Sequence, residues 1–316
     1  MTHRKLTIYS TRHREFTQLL ADGFHQETGI EVTIEDIKSD AAPRVQQEGE
    51  NCPADIVLTL DYRRLMALAA ANLTQPVQSE TLNKLVPAHL RDPEGRWFAQ
   101  SMRARFVFVE KSLDVTQFDY ADLADPRWRD QLFIRPADHM FNTALIAAFR
   151  AHYGQEKTEA WLKGIAANRP LSKGGDRSAV RAIAEGKAQI GVANSYYYGE
   201  MCAGVGGPEQ KAWSEHVRPI LPTFDHGKTP VNITGAGVAA HAPHPKEACA
   251  FLEYLAGDKG QQIYASVGYE YPVSEHVAPH ALIREAGELC VDTTPFSAVA
   301  EFNDAAETYA STMPWA

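Results

Sequence analysis

Two long extended runs, Trp97 to Glu110 (with Phe106-Val107-Phe108-Val109) and Val231 to Ala240, interrupt a regular alternation of strands and helices. Such alternation calls for α/β layers, because a helix and a sheet each bury an apolar face against the other. The first sixty or so residues read as β-α-β with a further strand. Leu6 to Tyr9 is a strand, then Phe16, Leu19, Leu20 and Phe24 recur at helical spacing before a stop at Gly29. Ile30 to Ile37 alternates as a second strand, and Ala54 to Thr59 is apolar enough to be buried on both faces. A second set follows. It comprises strand Leu132-Phe133-Ile134, helix Thr143 to Tyr153, a helix carrying Val180 and Ile183, and strand Ala188 to Ala193. Asp176 is placed to cap the helix of Val180 and Ile183, and Gly186 to end it. Pro245 opens a helix with Ala248, Phe251, Leu252 and Leu255 on one face, and the chain from about Leu282 reads as C-terminal helix. No repeat or low-complexity segment is visible.

Two α/β sets joined by extended crossovers predict a two-lobed, hinged α/β fold that closes around a ligand. Lobe 1 is expected to combine residues 1–100 and 228–278, and lobe 2 residues 101–227 and 279–316 with the C-terminal helices. A two-domain α/β enzyme is the competing architecture. Against it, the chain has no GxSxG elbow, no HExxH and no dinucleotide fingerprint.

At 316 residues the length suits about two domains, and 44% hydrophobic with 22% charged residues is ordinary for a folded chain. The net charge of −9 argues against a nucleic-acid partner but leaves room for a locally basic pocket with an anionic ligand. No stretch approaches the roughly 20 apolar residues of a membrane helix. The start, Met1-Thr2-His3-Arg4-Lys5, is basic without an apolar signal core, which fits a cytosolic protein or an exported one whose signal has been replaced by Met. The four cysteines, Cys52, Cys202, Cys249 and Cys290, form no CxxC pair and read as structural thiols, with room for one disulfide in an oxidising compartment.

Several segments carry a more specific signal. Tyr9-Ser10-Thr11-Arg12-His13, Pro53 to Thr59, Gln75 to Ser79, Arg103-Ala104-Arg105, Asn194-Ser195-Tyr196-Tyr197, Val231 to Gly235 and Tyr269 to Val273 resemble the periplasmic ferric-ion-binding proteins, the bacterial transferrins. The resemblance runs from about residue 6 to 275. It implies the type II two-lobed fold and the substrate-binding subunit of an ABC importer. That subunit is expected to be periplasmic, monomeric and without enzymatic activity, delivering its small ligand to a membrane permease. It favours the exported reading of the N-terminus. It also implies that Tyr196 and Tyr197 bind iron. Fe³⁺ is a hard cation that takes anionic oxygen ligands, and binding must expel the phenolic protons. Taken without the resemblance, three consecutive tyrosines read as packing aromatics, and Tyr198 keeps that reading.

The chain departs from the family pattern at two places. Where a His-Tyr pair is usual, this sequence has His13-Arg14, and where a further ligand tyrosine is usual it has Phe141, in Asp138-His139-Met140-Phe141-Asn142. The metal set implied here is therefore Tyr196, Tyr197 and His13. Carbonate or a small carboxylate such as oxalate or citrate would fill the remaining sites as a synergistic anion. The anion would be held by Arg103, Arg105, Arg12 and Arg14, with Ser10, Thr11 and a helix start assisting. Strand alternation puts Arg103 and Arg105 on one face. The same changes support an alternative: a metal-free site for an oxyanion metabolite such as a sugar phosphate, phosphonate or carboxylate. Of the other candidates, Asp138 and His139 are substitute ligands beside Phe141. Gly174-Gly175-Asp176-Arg177 is only faintly like a phosphate loop, His241 and His244 read as surface residues, and Asp61 lies at a strand end where ligand residues gather.

Overall fold

The computed structural model describes residues 4–315, so Met1-Thr2-His3, on which the reading of the N-terminus depends, lies outside the described residues. The strands in chain order are β1 (Lys5–Ser10), β2 (Glu31–Asp36), β3 (Ile56–Thr59), β4 (Phe98–Arg103), β5 (Arg105–Glu110), β6 (Leu132–Phe133), β7 (Ile190–Asn194), β8 (Val217–Ile220), β9 (Asn232–Val238) and β10 (Tyr271–Pro272). The chain divides into two compact units. One takes the chain up to Met102 together with Asn232–Pro279, and the other takes Arg103–Val231 with the chain from His280 on.

The first unit is built on a six-stranded sheet of order β10-β4-β9-β3-β1-β2. β1 lies parallel to both β2 and β3, as a β-α-β start demands, and β9 returns antiparallel to β3. Helix Arg14–Thr28 ends at Gly29, whose φ of 70° is the left-handed conformation that closes a helix. Its buried face is Thr17, Leu20, Ala21 and Phe24. Leu19, expected on that face, is 44% exposed. Phe24 meets Phe251 of helix Pro245–Ala256 edge-on at 5.1 Å between ring centroids, fixing that helix against the first.

The second unit has a four-stranded sheet of order β6-β7-β5-β8. The extended run Trp97 to Glu110 is therefore two strands rather than one: it breaks at Ala104, and β4 and β5 enter different sheets. Helix Met140–Ala167 is longer than the periodicity indicates and is kinked at Gly154, whose φ of 79° no other residue type adopts readily. The C-terminal region is three short helices, Ala281–Arg284, Phe296–Ala300 and Asn303–Ser311. All four cysteines are free thiols.

In β9 the sheet needs glycine for close approach. A Cβ at Gly237 would stand 2.4 Å from the Arg96 carbonyl oxygen and 2.8 Å from Thr74 Cγ2. Gly237→Ala is expected to destabilise the protein by about 1–3 kcal/mol through overpacking, read as a lower urea midpoint in circular dichroism.

Candidate functional site

In the second unit, the carboxyl ends of β6 and β7 carry the site. Asn194 ends β7, Ser195 follows with its N–H donating to the Ala104 carbonyl at 2.9 Å, and helix Tyr196–Cys202 starts at once. The Tyr196 and Tyr197 rings lie 4.2 Å apart at 39°, both half-buried. Burial pushes the Tyr196 phenol well above its usual range. Tyr197, through its charge and a hydrogen bond, pushes it further, and the Arg103 guanidinium opposes them. Arg177 covers the Tyr197 ring at 4.9 Å and is tied to Glu200. Tyr198 points elsewhere: it is buried, donates to Glu285 at 2.7 Å and packs on Phe108, which is the packing role expected of it.

Phe141 sits in a ring of guanidinium groups. Arg103, Arg105 and Arg135 have their guanidinium carbons 6.0, 5.7 and 5.9 Å from its ring centre. Arg105 is buried and locked to Asp176, with Asn194 and Asn142 each accepting at 3.2 Å. Arg135 reaches the other oxygen of Asp176 at 2.8 Å. Asp176 is thus the shared counterion of two arginines rather than the helix cap the sequence predicts. Gly175 occupies the cap position without a side chain, and Asp176 is the first residue of helix Asp176–Ala184. One carboxylate between two guanidiniums leaves this trio with surplus positive charge. The Asn194 Nδ2 beside it is buried with no partner among the described residues, a donor left over for a ligand. His139 caps helix Met140–Ala167 by accepting the Phe141 N–H. Its pKa is pushed down to about 4 by burial, then by Arg135 and Arg105, so it is neutral at pH 7. Asp138 is exposed.

In the first unit the expected anion-binding residues cluster after β1. Arg12 is held by Glu270 through both oxygens, at 2.9 and 3.2 Å, with Thr234 accepting at 3.3 Å and the Phe16 ring 3.7 Å below. Glu270 also accepts from Ser101, and the preceding Tyr269 takes a left-handed φ of 51° that an L side chain seldom adopts. Ser10 is buried, pairs with Thr17 at 3.1 Å and accepts the Arg12 N–H. The Thr11 hydroxyl is buried without a partner among the described residues. His13, exposed, opens helix Arg14–Thr28 and makes no capping bond with its side chain. Arg14 turns to the end of β2, donating to the Ile34 carbonyl at 3.0 Å and to Asp36 at 2.9 Å. Asp61 caps helix Tyr62–Ala70 and accepts from Asn232 at 3.0 Å. His244 is not a plain surface residue: its N–H and ring meet the buried Asp55 at 2.6 and 3.2 Å.

The structure thus brings Tyr196, Tyr197 and Arg103 together, with Arg105 as part of their frame. It gathers Ser10, Thr11, Arg12 and His13 at one end of β1. Sequence reasoning missed Arg135 and Asn142. Arg135 could have been found from its place just after the strand at Ile134, where α/β folds collect ligand-binding side chains.

The model of a family of bacterial extracellular solute-binding proteins matches residues 51–286. Iron uptake protein A1 of Synechocystis sp. is 36% identical over 92% of this chain and 82% of its own length. The solved structure of a Bordetella ferric binding protein is 41% identical with a TM-score of 0.93, over 98% of this chain and 99% of that one. A Trichodesmium protein solved in complex with iron and citrate is 34% identical with a TM-score of 0.91, over 99% and 100%.

Removing the Asp176 charge leaves two facing guanidiniums uncompensated. Asp176→Asn is expected to cost about 3–5 kcal/mol in urea unfolding. The same two arginines hold the Asp176 carboxyl below its usual range, against the opposing effect of burial. Its folded pKa lies below its unfolded one, so its stabilisation is complete above about pH 4 and fades as the medium is acidified further. The variant's unfolding midpoint should therefore lack that acid-limb dependence.

Proposed function

This chain belongs to the bacterial extracellular solute-binding protein family, and from that premise we propose that it captures ferric iron together with a synergistic anion. It is a binding protein and not an enzyme. The matches bear out the resemblance read from the motifs, and the mixed α/β architecture with two sheets is that of the solved relatives. The observation that carries the proposal is the Tyr196–Tyr197 pair, rings 4.2 Å apart at a helix start, with the Arg103 charge acting on it. Its support includes the names of relatives: one for iron uptake, one for ferric binding, and one solved with iron and citrate.

In this reading the metal displaces the protons of Tyr196 and Tyr197, and His13 adds an imidazole. These leave a six-coordinate ion about half its sites, which the anion's oxygens fill. Arg103, Thr11 and Asn194 hold the anion. Arg12 and Arg105, already paired with Glu270 and Asp176, and Ser10 frame it, and Arg14, paired with Asp36, stands at the helix start. The carrier acts in the periplasm as a monomer. It closes its two units around the ligand and hands it unchanged to the permease of an ABC importer.

A second reading, a metal-free site for a phosphorylated or carboxylated metabolite, draws on the surplus guanidinium charge around Phe141 and on Arg14, both at positions where tyrosine ligands are usual.

Chelator-stripped protein titrated with a soluble ferric complex separates the two. With carbonate or citrate present, a saturable visible charge-transfer band near one iron per chain is expected, and Tyr196→Phe/Tyr197→Phe should abolish it. Because two phenolic protons leave, apparent affinity should fall by about a hundredfold per pH unit of acidification. No band with any anion, alongside saturable binding of sugar phosphates or carboxylates, establishes the second reading instead.

A further inference from the structure

His152, Asp225 and His226 meet on the second unit, and none belongs to the tyrosine site. One ligand-capable atom from each lies within 4.8 Å of the others. Helix Met140–Ala167 supplies His152 just before its kink, and a tight turn supplies the other two. In that turn the Phe224 N–H donates to the Lys228 carbonyl and the Gly227 N–H to the Phe224 carbonyl, both at 2.8 Å. Gly227 takes a φ of 76°, which fixes the turn's shape.

The side chains are braced. His152 stacks on buried Phe224 at 4.9 Å and 9°, and the Asp225 N–H donates to the Tyr153 hydroxyl at 2.8 Å. His152 Nε2 stands 2.7 Å from Asp225 Oδ1. An ordinary His–Asp pair accounts for that contact. It does not account for the second imidazole, whose ring centre lies 4.1 Å from the first. Two imidazolium cations at that distance repel, whereas two neutral rings with a shared cation do not. Asp292 stands behind, its Oδ2 3.8 Å from His226 Nε2 and its Oδ1 fixed by the N–H and hydroxyl of Thr294 at 3.0 and 2.8 Å.

We propose that His152, Asp225 and His226 form a second cation site, selective for a borderline divalent ion of the zinc class. Two imidazoles and one carboxylate are a zinc donor set, with Asp292 or water completing the tetrahedron. Two imidazoles to one carboxylate make a softer set than the oxygen donors hard Fe³⁺ prefers, and it lacks the phenolates of Tyr196 and Tyr197. Binding replaces the proton between His152 and Asp225. With metal–ligand bonds of about 2.0–2.2 Å in a tetrahedron, the nitrogen and oxygen separate by about 0.6–0.9 Å from their present 2.7 Å. Coordination of His226 through Nε2 moves its ring proton to Nδ1 and gives up the long 3.3 Å contact from the Lys228 N–H.

The test is calorimetric titration of the metal-stripped full chain with zinc chloride. The expected result is one Zn²⁺ per chain, bound at least about tenfold more weakly by His226→Gln and by Asp225→Asn. Affinity should be unchanged in Tyr196→Phe/Tyr197→Phe. His226 and Asp225 are exposed turn residues, so their replacement leaves the fold in place, which circular dichroism checks. Zinc that fails to bind the wild type, or binds equally to both turn variants, overturns the proposal. So does zinc binding that disappears with the two tyrosines.

Discussion

The second unit's site depends on one buried carboxylate. Asp176 joins Arg105 of β5 to Arg135 beyond β6, and one of its oxygens also accepts the Asn194 N–H at 3.1 Å at the end of β7. Three strand ends are therefore held at fixed spacing by a single ionised group. Tyr196 and Tyr197 follow Asn194 by two and three residues, so their position is inherited from that group. A buried ion pair of this kind adds little net stability over well-packed apolar residues, because desolvating the charges offsets their attraction. Its value here is geometric: Arg105 directs its donors to Asp176, Asn194 and Asn142 at once and cannot swing away.

The first unit uses the same device with different partners. Glu270 takes Arg12 with both oxygens and Ser101 besides, which fixes the segment after β1. The left-handed backbone at Tyr269 sets the carboxylate's direction. At both places an arginine is paired with a carboxylate, and the donors without a hydrogen-bond partner among the described residues include the Thr11 hydroxyl in one unit and, in the other, the Asn194 amide with the Nε of Arg105 and of Arg135. In the proposed function the ion pairs keep the strongest charges rigid and these remaining donors meet the incoming ligand, whose own charge then faces preorganised groups.

The layer architecture was legible because its signals are local. Strand runs such as Ile56 to Leu58 and the helical spacing of Phe24, Ala248 and Leu252 survive in the structure as a buried core. What was not legible depends on long-range partners. The break at Ala104 is invisible in Phe98 to Glu110, since both halves are extended and only their different sheets separate them. Leu19 fits the helical period but lies outside the buried face of Thr17, Leu20, Ala21 and Phe24. Asp176 fits a cap by position. It serves instead as a counterion because Arg105 and Arg135, 71 and 41 residues earlier, converge on it. His244 reads as a surface residue until Asp55, far off in sequence, is seen beneath it. Likewise His152 and the Asp225-His226 turn lie 73 residues apart and carry no spacing signal for a metal.

Phe141 shows how a ring without a phenolate sets the electrostatics of its surroundings. A phenolate there would have stood next to Arg103, Arg105 and Arg135 and neutralised part of their charge. Phenylalanine keeps the ring, and the guanidiniums lie against it at cation–π distances, but the charge remains. Burial first, and that positive charge in addition, keep the nearby His139 neutral, so its imidazole retains a lone pair instead of a second proton. It also makes the neighbourhood more welcoming to an anion than a site with one more tyrosine would be. In the proposed function, fewer phenolates and a greater demand for anionic oxygen thus arise at one position. In the proposed function, an anion of several carboxylates suits such a site better than carbonate, because it supplies metal ligands and negative charge together.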